Sequence, residues 1–191
     1  MAEQLSYTEY AVLGLLTFGQ RSAYDLDTLA KRTIGFFWRP ARIKIYRVLP
    51  RLVEHGFVSA APVAQVKLPD KTVYRITRLG RRALREWLSS PDVIVAPTRH
   101  GLLLKLFFGA HGELDGLVAL VERHKQRAEE QLAALERIET EIDPERDDAD
   151  FFPYLTLLHG LEDARSTIVW AEDVLRLLVR RSARSAGRRA T

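Results

Sequence analysis

The side chains able to do metal or acid–base chemistry are few in this chain, and they are scattered. There is no cysteine, which excludes disulfides, thiolate metal sites and a thiol-based metal sensor. The five histidines are His55, His100, His111, His124 and His159. His159 and Asp163 stand four apart on one predicted helix, but two ligands do not make a metal site. No Gly-rich phosphate loop, nucleophile elbow or HExxH is present. The chain therefore reads as neither an enzyme nor a carrier of a metal or cofactor. What remains is the chemistry of cations and hydroxyls toward a polyanion. Its densest source is the stretch from Trp38 to Phe57, WRPARIKIYRVLPRLVEHGF. Lys44, Arg47 and Arg51 recur at i, i+3 and i+7 along one side of a helix, with Tyr46 on the flank. Arg39 and Arg42 precede them.

The same stretch carries the pattern that would position these groups. Ile45, Leu49, Leu52 and Val53 form an apolar stripe at i, i+4, i+7 and i+8, which predicts a helix from about Pro40 to His55. Pro40 suits a first turn and Gly56 a helix stop. Pro50 interrupts the run; it removes one backbone donor and should kink the helix without ending it. A helix with an apolar inner face and outward cations plus a tyrosine suits the DNA major groove. A solvated surface helix would share that pattern, and the neighbouring elements decide between the two readings.

Two short helices come first. Ser6 and Glu9 have capping-box spacing, and the helix they open presents Val12, Leu15 and Leu16 before Gly19. Ser22 caps a second helix that buries Leu26, Leu29 and Ala30. Phe36, Phe37 and Trp38 pack the junction with the third helix. After Gly56 the period changes to two. Residues 57–60 and 72–76 read as strands of a hairpin with Lys67 and Lys71 near its tip. Thr77 caps a fourth helix expected to turn Leu79, Ala83, Leu84, Trp87 and Leu88 inward and Arg81, Arg82 and Arg85 outward. Three helices, a hairpin and a closing helix make a winged helix-turn-helix outline, in which the third helix enters the major groove and hairpin lysines reach phosphates.

The second half has a different character. Residues 1–90 carry a net charge of +8, residues 91–179 a net −9, and the last twelve residues +5 from five arginines, within a total of +4. Only the first half is thus suited to meet a polyanion. After a Pro-containing linker (91–98), Gly101–Phe108 reads as a short apolar helix. From Leu114 a seam steps by three and four through Leu117, Val121, His124, Ala128, Gln131, Leu135, Ile138 and Ile142, with His124 and Gln131 as polar intrusions. A final helix presents Leu155, Leu158, Leu161, Ile168, Ala171, Leu175 and Leu178. Such a pair needs a further surface to cover it, and a two-fold homodimer is the simplest source. The expected dimerisation residues are Leu114, Leu117, Val121, Leu135, Ile138, Leu158, Ile168 and Leu175. Trp87, Phe107, Phe108 and Trp170, with Phe151, Phe152 and Tyr154, are candidate linings for an apolar or aromatic small-molecule effector, although aromatics at helical spacing are ordinarily core. The Arg180–Thr191 tail is expected to be disordered and to add sequence-independent attraction to phosphates.

The fold class expected is mainly α with a small β-hairpin. It comprises an N-terminal winged helix-turn-helix domain (1–90), a C-terminal helical dimerisation domain (99–179) and a basic tail (180–191). The N-terminus lacks the basic region of a signal peptide, and no apolar run is long enough to span a bilayer, which suggests a cytoplasmic protein.

The residues resemble the PadR family of transcriptional regulators. The resemblance lies in LSYTEYAVLGLLTFGQRSAYDL, WRPARIKIYRVLPRLVEHGFV and VYRITRLGRRALREWL, and continues in LLLKLFFG and PYLTLLHGLEDARSTIVWAEDVL. It covers roughly residues 5–179 and is similar to the subgroup with the longer, Vir-like C-terminal domain. It implies a dimeric winged-helix repressor of double-stranded DNA, often relieved by a small molecule. By position, Tyr46 matches the tyrosine of the family's recognition helix, Arg39 and Pro40 its approach, and Tyr24 the aromatic that opens the second helix. The chain departs from the family before that tyrosine, where Ala41, Ile43 and Lys44 stand in place of small or hydroxylated residues. The rival reading is a winged-helix module that docks proteins without binding DNA specifically.

Overall fold

The computed structural model describes residues 5–38, 41–63, 71–91 and 100–189, with side chains described as far as residue 183. Arg39, Pro40, Lys67 and most of the 91–98 linker lie outside the described residues. The chain divides into two compact units, 1–95 and 96–191.

The first unit is built by its caps. Ser6 accepts from the backbone of Glu9, and the Glu9 carboxylate reaches back to the Ser6 backbone, which starts α1 (Tyr7–Leu15). A 3-10 turn (Leu16–Phe18) follows and ends at Gly19, whose φ of 115° an L side chain would resist. Ser22 and Asp25 form a second capping box and open α2 (Ala23–Arg32). α3 runs from Arg42 to Glu54 and passes through Pro50 without a break. It stops where Gly56 takes φ 73°, the left-handed conformation expected there. Strands β2 (Val58–Val63) and β3 (Lys71–Ile76) pair antiparallel from Val58↔Ile76 to Val63↔Lys71. A two-residue strand β1 (Arg21–Ser22) pairs on the other edge of β3. Thr77 caps α4 (Arg78–Leu88) by accepting from the Gly80 backbone at 3.1 Å.

The core of this unit is Val12, Leu13, Leu15 and Leu16 of the first helix and its turn, Leu26 and Ala30 of α2, and Ile45, Val48, Leu49 and Leu52 of α3, closed by Val58 and Ile76. α4 departs from expectation. Leu79 and Leu88 are exposed, Leu88 by 67%. The one fully buried position on α4 is Gly80, where an added Cβ would come within 2.2 Å of the Phe57 carbonyl oxygen. The helix thus approaches the backbone just before β2 at its first turn. The leucines at either end are left outside, while Ala83, Leu84 and Trp87 are half-buried.

The second unit is helical: α5 (Gly101–Phe107), α6 (Leu114–Glu139) and α7 (Asp148–Arg189, 42 residues). α6 and α7 pack along each other. Val121, Ala128 and Leu135 of α6 and Leu157, Leu161, Ala164 and Ala171 of α7 are buried in the one chain. Lys125 bridges to Glu172 at 2.9 Å, and the His124 ring meets Trp170 edge-on at 6.0 Å. Helical structure continues through Arg189, so the tail expected to be disordered extends α7 instead. No helix among the described residues is long and apolar enough to cross a membrane.

Candidate nucleic-acid interface

The two faces of α3 separate cleanly. Ile45, Leu49 and Leu52 are fully buried, while Arg42, Ile43, Lys44, Tyr46, Arg47 and Arg51 are exposed. Five of the six, from Arg42 to Arg47, lie in the N-terminal half of the helix, and Arg51 lies nearer its end. The Arg42 guanidinium donates to the Tyr46 hydroxyl at 3.3 Å. It also lies 5.6 Å from the centre of the Tyr24 ring and 5.5 Å from that of Tyr46. Hydrogen bonding to Tyr46 pushes the Arg42 pKa further up, so the group is a fixed cation. Three residues singled out separately in the sequence thus form one surface cluster, with α2 contributing Tyr24 and α3 the rest. Lys44 and Arg47 make no ion pair among the described residues. Ile43 is 64% exposed, an apolar group beside the cations that periodicity alone did not mark as functional.

Arg51 behaves differently. Its guanidinium stands 3.8 Å from Glu9, a carboxylate buried to 2% exposure that also accepts from the Ser6 backbone and hydroxyl. This pair links α3 to the cap of α1. Arg51 therefore acts first as the counter-ion of a buried acid, which qualifies its expected part in DNA contact. Lys71 is similarly engaged, 3.9 Å from Asp25. The Asp25 carboxyl is held below the usual range chiefly by the Ser22 hydroxyl, with Lys71 and Arg21 adding to the effect and partial burial opposing it.

Beside the hairpin, an open groove of about 550 Å³ runs between α2 and the sheet. Its lining includes Arg21, Arg32 and Lys71 together with Thr28, Leu29, Val63 and Val73. Arg21 and Arg32 were absent from the sequence reading. They fall outside the α3 stripe: Arg21 joins the groove because β1 pairs with β3, and Arg32 lines it from the last turn of α2.

Of the candidate effector linings, Trp87 lies in the first unit and the others lie in the second. Trp87 stacks on Tyr10 at 4.6 Å and meets Tyr7 edge-on at 5.8 Å, inside the first unit. Phe107 and Phe108, 82% and 55% exposed, contact each other edge-on. Trp170 belongs to the α6–α7 pair. Phe151 and Phe152 are exposed and Tyr154 is half-buried. The expected dimerisation residues also divide. Val121 and Leu135 are buried within the chain, because their seam is matched by α7. Leu114, Leu117, Ile168 and Leu175 are half-buried, and only Ile138 and Leu158 are exposed.

Known proteins resemble this chain along most of its length. Residues 12–86 match the transcriptional regulator PadR-like family, and residues 98–179 match the virulence activator alpha C-terminal family. A probable transcriptional regulator of Mycobacterium tuberculosis, Rv1176c, is 30% identical over 88% of this chain and 96% of its own. The chain belongs to the PadR family of transcriptional regulators. The negative transcriptional regulator PadR of Bacillus subtilis is 27% identical over 89% of this chain and 96% of its own length. Crystal structures of that PadR have been solved with operator DNA (TM-score 0.78, 26% identity, covering 91% of this chain and 99% of that one) and with p-coumaric acid (TM-score 0.69, 25% identity, covering 89% and 97%). The Vibrio cholerae virulence activator AphA shares the fold at TM-score 0.69 and 24% identity, covering 90% of this chain and 97% of that one. In a winged helix-turn-helix the recognition helix lies in the major groove.

Proposed function

We propose that this PadR-family regulator binds double-stranded DNA as a cytoplasmic homodimeric repressor and is released by a small-molecule effector. The observation that carries the reading is the surface of α3. Its inner stripe is buried, and its N-terminal half displays Arg42, Lys44, Tyr46 and Arg47 beside Tyr24. Lys44 and Arg47 reach base edges or phosphates, Ile43 offers an apolar contact to a thymine methyl, and Arg42 is held ready between two tyrosines. Arg39 and the hairpin lysines Lys67 and Lys71 add phosphate contacts that set register. The net +8 on residues 1–90 supports this assignment.

A two-fold dimer built by the C-terminal helices sets two α3 helices about 34 Å apart, one turn of duplex. The exposed Leu158, Ile138 and Phe107 are its first candidates for the interface. An effector changes the spacing of the two heads by binding one arrangement better than the other. The B. subtilis relative solved with operator DNA and with p-coumaric acid supports both halves of the reading.

The test is duplex binding by the full chain. Affinity is expected to fall steeply with added salt, and Arg47→Ala should cost about 1–3 kcal/mol. Weak, salt-insensitive binding unaffected by Arg47→Ala would instead favour a protein-docking module.

A further inference from the structure

The groove between α2 and the sheet holds positive charge that its one acid does not cancel. Arg21, Arg32 and Lys71 line it against Asp25, a net +2 within about 550 Å³. That volume is ordinary for a small-molecule site. The donors of the three cations are largely unspent. Arg32 is exposed, and its side chain makes no hydrogen bond or ion pair among the described residues. Lys71 stands 3.9 Å from Asp25, an ion pair too long for a hydrogen bond. Arg21 is half-buried and donates to the carbonyl oxygens of Gln20 at 3.0 Å and Phe18 at 3.3 Å. Those bonds leave the rest of its N–H donors open. The cations come from β1, α2 and β3, so they approach the groove from different sides. Asp25 is turned to its own helix cap, where one oxygen accepts from the Ser22 hydroxyl at 2.8 Å and the Ser22 backbone at 3.2 Å. Among these charges, Val63 and the half-buried Leu29 and Val73 form an apolar wall.

Net charge and geometry together define the ligand. A carboxylate carries one negative charge and two oxygens in one plane. A phosphate monoester carries close to two at neutral pH and offers three acceptor oxygens that donors can reach from several directions. A backbone phosphate of a duplex, a diester, carries only one. We infer that the groove binds a small phosphate monoester with an apolar body, its phosphate held by Arg32 and Lys71 and its body against Leu29, Val63 and Val73. Lys71 turns from Asp25 to the phosphate at little cost, since that pair is exposed. Arg21 adds charge from the β1 side, and Asp25 keeps the phosphate off the cap of α2. None of the aromatic residues considered as effector linings lines this groove. The inference rests neither on DNA binding nor on dimerisation.

Phenyl phosphate is the probe, titrated calorimetrically into the full chain at fixed ionic strength. It should bind, and methyl phenyl phosphate, a diester with the same body and one charge, should bind about tenfold more weakly. Arg32→Ala removes an exposed side chain that has no partner, and should weaken phenyl phosphate binding about tenfold. Thr28→Glu places a second acid in the groove and should abolish it; melting curves of both variants check that the fold persists. No binding of phenyl phosphate, or binding unchanged in Arg32→Ala, would overturn the site. Equal binding of the diester would overturn the monoester assignment and give the groove to the backbone of a duplex instead.

Discussion

Arg42 and Arg51 lie on the same helix and were singled out for the same role, yet their surroundings assign them different work. Arg42 lies against two tyrosines and is exposed, with Asp27 acting on it less strongly than Tyr46, so its charge is available to a phosphate. Replacing it with alanine should lower duplex affinity while leaving thermal stability within a few tenths of a kcal/mol, as for most surface substitutions. Arg51 faces the buried Glu9. Arg51→Ala should show the reverse balance, with a lower melting temperature and a smaller loss of duplex affinity than Arg42→Ala; thermal denaturation and duplex titration of the two variants check this. The stripe at i, i+3 and i+7 showed which residues point outward, but not that an acid from another helix lies beneath one of them. Asp25 adds a pH dependence at this scale. Its folded pKa is lowered, first by the Ser22 hydroxyl, so it stabilises the fold above the unfolded carboxyl value of about 3.9. That contribution is lost as pH falls through the lower folded value. Melting curves of Asp25→Asn should therefore lose less stability between about pH 5 and pH 3 than those of the parent chain, while being less stable near neutrality.

Among the elements, the helix caps and the α3 stripe were the most legible. Ser6 with Glu9, the caps at Ser22 and Thr77, and the stop at Gly56 are local signals set by a few neighbouring residues. α4 was less legible. Its apolar residues predicted a broad inner face, but Gly80 determines how the helix sits, and a missing side chain leaves no mark in a hydrophobic pattern. Gly80→Ala should destabilise the first unit by about 1–3 kcal/mol, since its Cβ meets the backbone of Phe57 rather than a flexible side chain. Denaturant unfolding measures this. A neutral effect would mean that α4 can shift away from the sheet. β1 was missed because two residues, Arg and Ser, carry no period; β3 alone defines them as a strand. The extension of α7 through Arg189 was missed for a related reason. Small and basic residues resemble a solvated tail in composition, yet alanine and arginine are also good helix formers.

At the scale of the whole chain, the separation of charge guides the functional reading. The first unit is basic and carries the exposed cations of α3, and the second is acidic and holds the two long helices α6 and α7. Both units match families of regulators, and a PadR solved on its operator shares the fold across nearly the full length. The sequence pattern indicated that the second half needed a further surface. It could not apportion that surface, because Val121 and Leu135 suit a partner copy as well as the chain's own α7, and the packing assigns them to α7.

Selection of bound sites from a pool of random duplexes, by the full chain and by Arg47→Ala in parallel, tests the central claim most directly. The parent chain should enrich a two-fold related motif with half-sites about one helical turn apart, and Arg47→Ala should lose that enrichment. No enrichment by the parent chain, or the same motif recovered with Arg47→Ala, would contradict the assignment of α3 as the reading element.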